Sequence, residues 1–241
     1  MTADDRDFSG RELKEKDFSG QDLSQSDFAE ADLTAANLSN CILTYSQFYR
    51  ARLLQVRAEA ADVSQSSLME ANMSHSRFTG ASFAGSELEG ADLRHSHFAN
   101  ADFSETNLTG AYLEGANLEG ANLKQAELKA GDLRKTVFHN ANLFEADLRY
   151  TRLDEADFTG ANLEGADFTG ADLYNVKFND ADMQDVDFTE VDISGCDFTG
   201  AKNLTCGQIE SAIFQKDTVA FPDYISIRWL DDNEYECTCA D

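Results

Sequence analysis

Leucine or phenylalanine recurs every five residues from Phe8 to Phe198 without a slip of register, which makes 39 consecutive centres, 34 of them Leu or Phe. The exceptions are Ala58, Val63, Met73, Met183 and Ile193. Two residues before nearly every centre stands a small residue, as at Ala31, Ala36, Ala71, Ala101 and Ala161, and one residue before it Asp or Asn predominates. A period of five fits neither the helix period of about 3.6 nor the strand period of about 2. A square coil satisfies it. Each five-residue unit forms one side, turning its centre and its small residue inward and the other three outward. Stacked coils then pair their backbones at the strand spacing of about 4.8 Å, so nearly ten four-sided coils give a rod on the order of 45–50 Å long.

The units Ala91-Asp92-Leu93, Ala116-Asn117-Leu118-Glu119-Gly120 and Ala166-Asp167-Phe168-Thr169-Gly170 resemble those of the pentapeptide-repeat family. The resemblance covers residues 6–201 and implies an all-β fold, a right-handed quadrilateral parallel β-helix. It specifies fold far more than function, because one fold hosts many functions. Some members of that family bind DNA gyrase or topoisomerase IV and confer quinolone resistance or toxin self-protection. The plasmid-borne resistance members carry loops that interrupt the coils. The unbroken register here is closer in kind to loop-free members.

Three further sequence features bear on the ends and the compartment. Arg6, Arg11, Lys16 and Gln21 occupy the small inward position of the first coil, tolerable only where no coil lies beneath. The N-terminus has no basic start and no apolar run, which reads as a cytoplasmic chain without a signal peptide. Of the five cysteines, Cys41 and Cys196 fall at inward positions, which suits buried reduced thiols better than a disulfide framework.

The repeat breaks at Ala201-Lys202-Asn203-Leu204. Thr205-Cys206-Gly207-Gln208 then reads as a capping box, predicting a short helix through Ile209, Ala212 and Ile213 over the open end of the core. After Pro222, residues 224–230 alternate like a strand. Residues 202–230 thus read as a C-terminal cap. Its position and apolar content resemble the segment that joins two chains in several family members. That resemblance implies a homodimer through Ile209, Ile213, Ile225, Ile227 and Trp229. Residues 231–241 read as an acidic mobile tail.

The chain carries 45 Asp and Glu against 19 Lys and Arg, a net charge of -26. Such a balance repels nucleic acid and anionic membranes and favours basic partners. It also keeps a β-rich chain soluble. In a square coil, residues 20 apart are vertical neighbours, so the outward positions can be followed as ladders. The faces starting at centres 8 and 23 adjoin and carry outward charges of -8 and -7, against -4 and -3 on the faces of centres 13 and 18. Asp132, Arg152 and Asp172 alternate in sign, as do Asp157, Lys177 and Asp197. By contrast Glu127, Asp147, Asp167 and Asp187 stack four acids without relief, and like charges opposite one another are destabilising. With Glu145 and Asp185 on the adjoining face, they form a candidate partner-binding edge.

Other clusters are weighed against plainer readings. Arg57, Arg77 and His97 stack in one ladder with His75 and His95 beside it, either surface histidines or ligands for a metal. Cys237 and Cys239 offer two ligands at most. Outward Ile42, Tyr45, Tyr49 and Leu54 form a small apolar group. No nucleophile motif and no phosphate-binding glycine loop is present, so neither an enzyme nor a cofactor is expected. The leading expectation is a protein-interaction rod that imitates duplex DNA and binds a DNA-handling protein such as DNA gyrase or topoisomerase IV. The alternative is a scaffolding module for another protein.

Overall fold

The computed structural model describes residues 6–231 and 234–240. Residues 6–201 form the four-sided right-handed coil, one residue of nearly every side bridging in parallel to the residue 20 further along, from Asp7–Asp27 to Asp182–Lys202. Phe98 shows the pattern that most sides repeat. Its N–H donates to Asn117 O in the next coil (2.7 Å), and Asn117 N–H returns the bond to Ser96 O (2.9 Å). The corner closes within the chain, from Ala101 N–H to Phe98 O at 2.9 Å.

That corner requires a left-handed residue at the fifth position of every unit. Gly195 supplies it at φ 84°, but Glu145 and Tyr150 adopt it too, at 53° and 58°. A residue with a Cβ gives up roughly 1 kcal/mol or more there, so the corners hold only because the ladders on both sides fix them. The recurrent Asp or Asn before each centre has its reason at the same corner. Its carboxylate or amide oxygen accepts the N–H of the residue two further on, as Asp157 does from Thr159 (3.1 Å) and Asn117 from Glu119 (2.9 Å).

Inside, alanines such as Ala116 are fully buried, and phenylalanines stack along the axis. Phe138, Phe158, Phe178 and Phe198 follow one another with centroids 4.6, 5.4 and 4.9 Å apart and nearly parallel planes. Where Ser or Thr replaces the small Ala, the hydroxyl generally donates to a carbonyl of the preceding coil, as from Ser76 to Leu53 O (2.7 Å); Thr151 donates instead to Leu148 O of its own coil, and Ser26 in the second coil has no partner for its hydroxyl among the described residues. Such a bond removes the desolvation cost of a buried hydroxyl. Cys41 does the same towards Phe18 O, and Cys196 towards Leu173 O. Both thiols are free and buried, and burial pushes the Cys196 thiol up to about 12. At the first coil Arg11, Lys16 and Gln21 are exposed and Arg6 is half-buried, with the Arg11 guanidinium 5.5 Å from the Phe8 ring centre. These cations end the stack and leave an uninviting edge.

The capping box forms as the sequence predicts. Thr205 and Gln208 cap each other around α1 (Cys206–Ser211), and Gln208 Nε2 also donates to Met183 O and Val186 O, which fixes the helix across the last coil. The helix stops before Ile213. Ile213 instead bridges to Asp192 and Ala220 to Asp197, so the chain continues the coil for two more sides. Strands β1 (Ile225–Trp229) and β2 (Tyr235–Cys239) then pair antiparallel.

Three expectations for this end are corrected. The tail is not mobile over 234–240: Tyr235, Cys237 and Cys239 alternate along β2, which pairs with β1 rather than trailing in solvent. Asp232, Asn233 and Asp241 of that expected tail lie outside the described residues. Cys41 and Cys196 are free and buried as expected, but a disulfide joins Cys206 to Cys237 where no disulfide was expected. Ile209 and Ile225 are buried in their own chain's core and so are not free for a second chain. Ile227 and Trp229 are half-buried beside Phe214 and Tyr235, and of the five only Ile213 is exposed.

The inward and outward assignments make a direct test. Ala116→Lys places an unpaired charge in the core and is expected to cost several kcal/mol. Ala29→Lys makes the same change at an outward position and is expected to stay within about 0.5 kcal/mol of wild type. Equal losses by thermal unfolding would overturn the register.

Candidate partner-binding surface

The acidic edge is built by the ladder itself. Glu127, Asp147, Asp167 and Asp187 are consecutive bridge partners, held at one lateral position on four successive coils. One part of the expectation is corrected: the stack is not without relief. Arg149, one residue past the centre on the same side, binds Asp147 through two bonds (Nε–Oδ1 2.8 Å, Nη2–Oδ2 2.6 Å) and reaches Asp167 at 3.6 Å. Burial raises the Asp147 pKa, and the Arg149 hydrogen bonds outweigh it and hold the carboxyl below its usual range. Counting vertical neighbours alone misses this pair, because Arg149 reaches sideways to a residue two before it.

The other acids of the edge are held mainly by neutral donors. Gln125 Nε2 donates to Glu145 (2.7 Å), and Asn203 Nδ2 to Asp182 (2.7 Å). Gln184 spans Glu164 and Asp185. Backbone N–H groups of Thr169 and Thr189 bond Asp167 and Asp187, each at 2.8 Å. Asn122, Asn142 and Asn162 form an amide ladder between the carboxylates of Asp102 and Asp182, each amide donating back towards Asp102 at 2.9–3.1 Å. Lys124 and Lys129 of the same faces lie over the Phe144 and Tyr150 rings, and the Lys129 charge also acts on Asp147. Neutral bonds fix a carboxylate's position without cancelling its charge. The edge is therefore a row of positioned negative charges.

The opposite faces behave as alternating ladders should. Arg152 bonds Asp132 at 3.4 Å, and Arg134 takes the same carboxylate through two bonds of 2.7 Å. Lys177 and His139 both contact Asp157 Oδ2, at 3.3 and 3.1 Å. Burial raises the Asp157 pKa, but hydrogen bonds from Thr159 and His139 bring it down to about 2. The constant bridging is missing between Asp172 and Asp192 among the described residues, and a cleft opens there beside Tyr174 and Gln215.

The histidine and apolar clusters do not converge on a site. His75 and His95 stack face to face with centroids 5.2 Å apart, and Arg77 approaches Glu59 at 3.8 Å. Among the described residues no three-ligand group includes a histidine. Ile42 and Tyr45 are exposed, while Tyr49 and Leu54 are half-buried.

A right-handed solenoid with a five-residue side, inward Leu or Phe and capped ends defines a class of β-helix. The model of pentapeptide repeats matches residues 7–202 in overlapping stretches, with 8 copies, and the chain belongs to the pentapeptide-repeat family. No curated protein sequence matches it. Among solved structures, HetL of the cyanobacterium Nostoc sp. strain PCC 7120 is described as a pentapeptide repeat protein involved in heterocyst differentiation regulation. It superposes with a TM-score of 0.55 at 24% identity over 90% of this chain and 92% of its own, a likeness of fold. Full-length QnrB1, described as a plasmid-mediated fluoroquinolone resistance protein, aligns at 20% identity over 85% of this chain and 93% of its own. Its TM-score of 0.33 is too low to carry an argument.

Two outcomes follow for stability. Asp147→Lys removes the Arg149 pair and sets a second cation beside Arg149, so chemical denaturation is expected to show a loss of about 1 kcal/mol or more, whereas Asp187→Lys loses only the Thr189 N–H bond and is expected to cost less. Asp157 has a folded pKa of about 2 against an ordinary 3.8. Its stabilisation, about 2 kcal/mol, is present above pH 4 and disappears as pH falls through about 2. The wild-type advantage over Asp157→Asn is thus expected to shrink steadily between pH 4 and 2. A constant difference over that interval would refute the assignment.

Proposed function

We propose that the chain is a protein-interaction rod whose acidic edge occupies the nucleic-acid-binding surface of a basic, DNA-handling protein. The supporting observation is the row of carboxylates, most of them held by neutral donors, with only Asp147 and Asp167 in contact with a cation, Arg149, among the described residues. A DNA-binding groove is lined with Lys and Arg that normally meet phosphates, and those contacts are strongly salt-dependent. Negative charges fixed on a ladder meet such groups without the ordering cost of a flexible acidic tail. The net charge of -26 adds long-range attraction for a basic partner. DNA gyrase and topoisomerase IV are the partners that the family resemblance puts forward.

Purified DNA gyrase and topoisomerase IV serve as the probes. Binding to at least one is expected, weakening linearly in log K against log salt and lost in competition with duplex DNA. The combined reversal Glu127→Lys, Asp167→Lys and Asp187→Lys is expected to lower affinity at least tenfold. Asp17→Lys, Glu119→Lys and Asp180→Lys make the same charge change on the face of centre 18 and are expected to bind nearly as wild type. Equal losses in the two triple variants would leave bulk charge as the only determinant. Salt-insensitive binding, or none to either enzyme, would sink the reading in favour of a scaffolding role.

A further inference from the structure

The cap gathers three of the five cysteines. Cys206 is the first residue of α1, while Cys237 and Cys239 lie two apart on β2 and so project from the same side of the strand. That side faces the helix, since Tyr235, two residues earlier again, donates through its hydroxyl to Ile209 O (3.3 Å). The three sulfurs lie within 4.8 Å of one another, and Cys239 Sγ is 2.8 Å from Cys206 Sγ. Among the described residues this is the one group of three ligand side chains that converges on a point a metal could occupy.

The sulfur–sulfur bond is not what brings these residues together. Cys206 is fixed by the capping box and by the Gln208 bonds to Met183 O and Val186 O. Cys237 and Cys239 are fixed by their pairing with Ile227 and Ile225, and by the bond from Ala240 N–H to Tyr224 O at 2.7 Å. Reducing the disulfide therefore leaves three thiols facing one point. Thiolates bound to zinc at about 2.3 Å stand about 3.8–4.0 Å apart, a small outward adjustment from the positions seen.

We propose that the reduced Cys206, Cys237 and Cys239 form a binding site for one soft d10 cation, Zn2+ or Cu+. Thiolates select such ions over the hard cations that carboxylates prefer, so the acidic surface nearby does not compete for them. Binding releases the three thiol protons to solvent and leaves three metal–sulfur bonds. Cu+ is satisfied by three thiolates. Zn2+ takes a water as its fourth ligand, and exposed Cys239, at the rim of a cleft lined by Asp185, Gln208 and Tyr224, leaves room for it. The disulfide and the metal exclude each other, because the bonded sulfurs of Cys206 and Cys237 are not thiolates. Oxidation thus closes the site, and reduction by a dithiol, which supplies two electrons and two protons, opens it.

The full-length chain is reduced with dithiothreitol, freed of it under anaerobic conditions, and titrated in separate arms with Zn2+ and with Cu+ against a chromophoric chelator. One equivalent is expected to bind with a sub-micromolar dissociation constant in at least one arm, and the arm that binds identifies the ion. The same chain with its disulfide intact is expected to bind at least 100-fold more weakly. Cys239→Ser leaves the Cys206–Cys237 pair able to close, which reports a folded cap, and is expected to weaken metal binding at least tenfold. The double change Cys41→Ser and Cys196→Ser, in the rod, is expected to change affinity less than twofold. The proposal fails if neither ion binds the reduced chain, if Cys239→Ser binds as tightly as wild type, or if the oxidised chain binds equally well.

Discussion

The two backbone hydrogen bonds that tie each side of the rod to the next, such as Phe98 N–H to Asn117 O and Asn117 N–H to Ser96 O, are the constraint behind everything else. They hold only if every side has the same length, so the five-residue register cannot slip while the coil continues. They also fix the corners in a left-handed conformation that Glu145 and Tyr150 adopt despite its cost. With geometry set by the backbone, the inward positions have only to fill a square of constant size. Alanine and a large apolar centre do so, and Phe138 to Phe198 stack because the coil repeat sets one ring above another at the centroid distances of offset-stacked rings.

The same constraint explains what could be read from the sequence. Residues 20 apart are neighbours by construction, so the alternating ladders Asp132–Arg152 and Asp157–Lys177 were legible as ion pairs. Thr205 and Gln208 were legible as a cap because that motif is local. Arg149 was not, since its reach to Asp147 depends on a side-chain rotamer and on a corner that turns it back along the coil. The tail misled for a different reason. Its acids suggested solvent, but the apolar and cysteine residues at 235, 237 and 239 alternate, and that period was the signal for β2. The approach of Cys206 to that strand crosses 31 residues and needs the tertiary fold.

Outward residues are released from the packing problem, which is why charge can differ so much between faces of one rod. Asp before the centre is partly structural everywhere, one oxygen serving the corner N–H, as at Asp167 and Asp187. What distinguishes the edge from the other faces is the identity of the remaining neighbours. Where Arg134, Arg152 and Lys177 supply cations, the carboxylate is neutralised and the surface carries little field. Where Gln125, Gln184 and Asn203 supply amides, the carboxylate is equally well placed and its charge survives.

The two ends follow a different logic from the shaft, because a ladder must stop without leaving an adhesive edge. The first coil stops it with charge, through Arg6, Arg11 and Lys16. The last stops it with mass: the chain adds two more sides at Ile213 and Ala220, lays α1 across the core and closes with a hairpin. Only that second solution departs from the repeat, and so only there can residues distant in sequence meet in arrangements the period forbids. Along the shaft, a side chain's neighbours are limited to its own coil and the coils directly above and below. At the cap, Cys206 meets Cys237 and Cys239, and Gln208 meets Met183 and Val186. Recognition by charge belongs to the shaft, where identical spacing is useful. Chemistry that needs several ligands to converge on one point belongs to the cap.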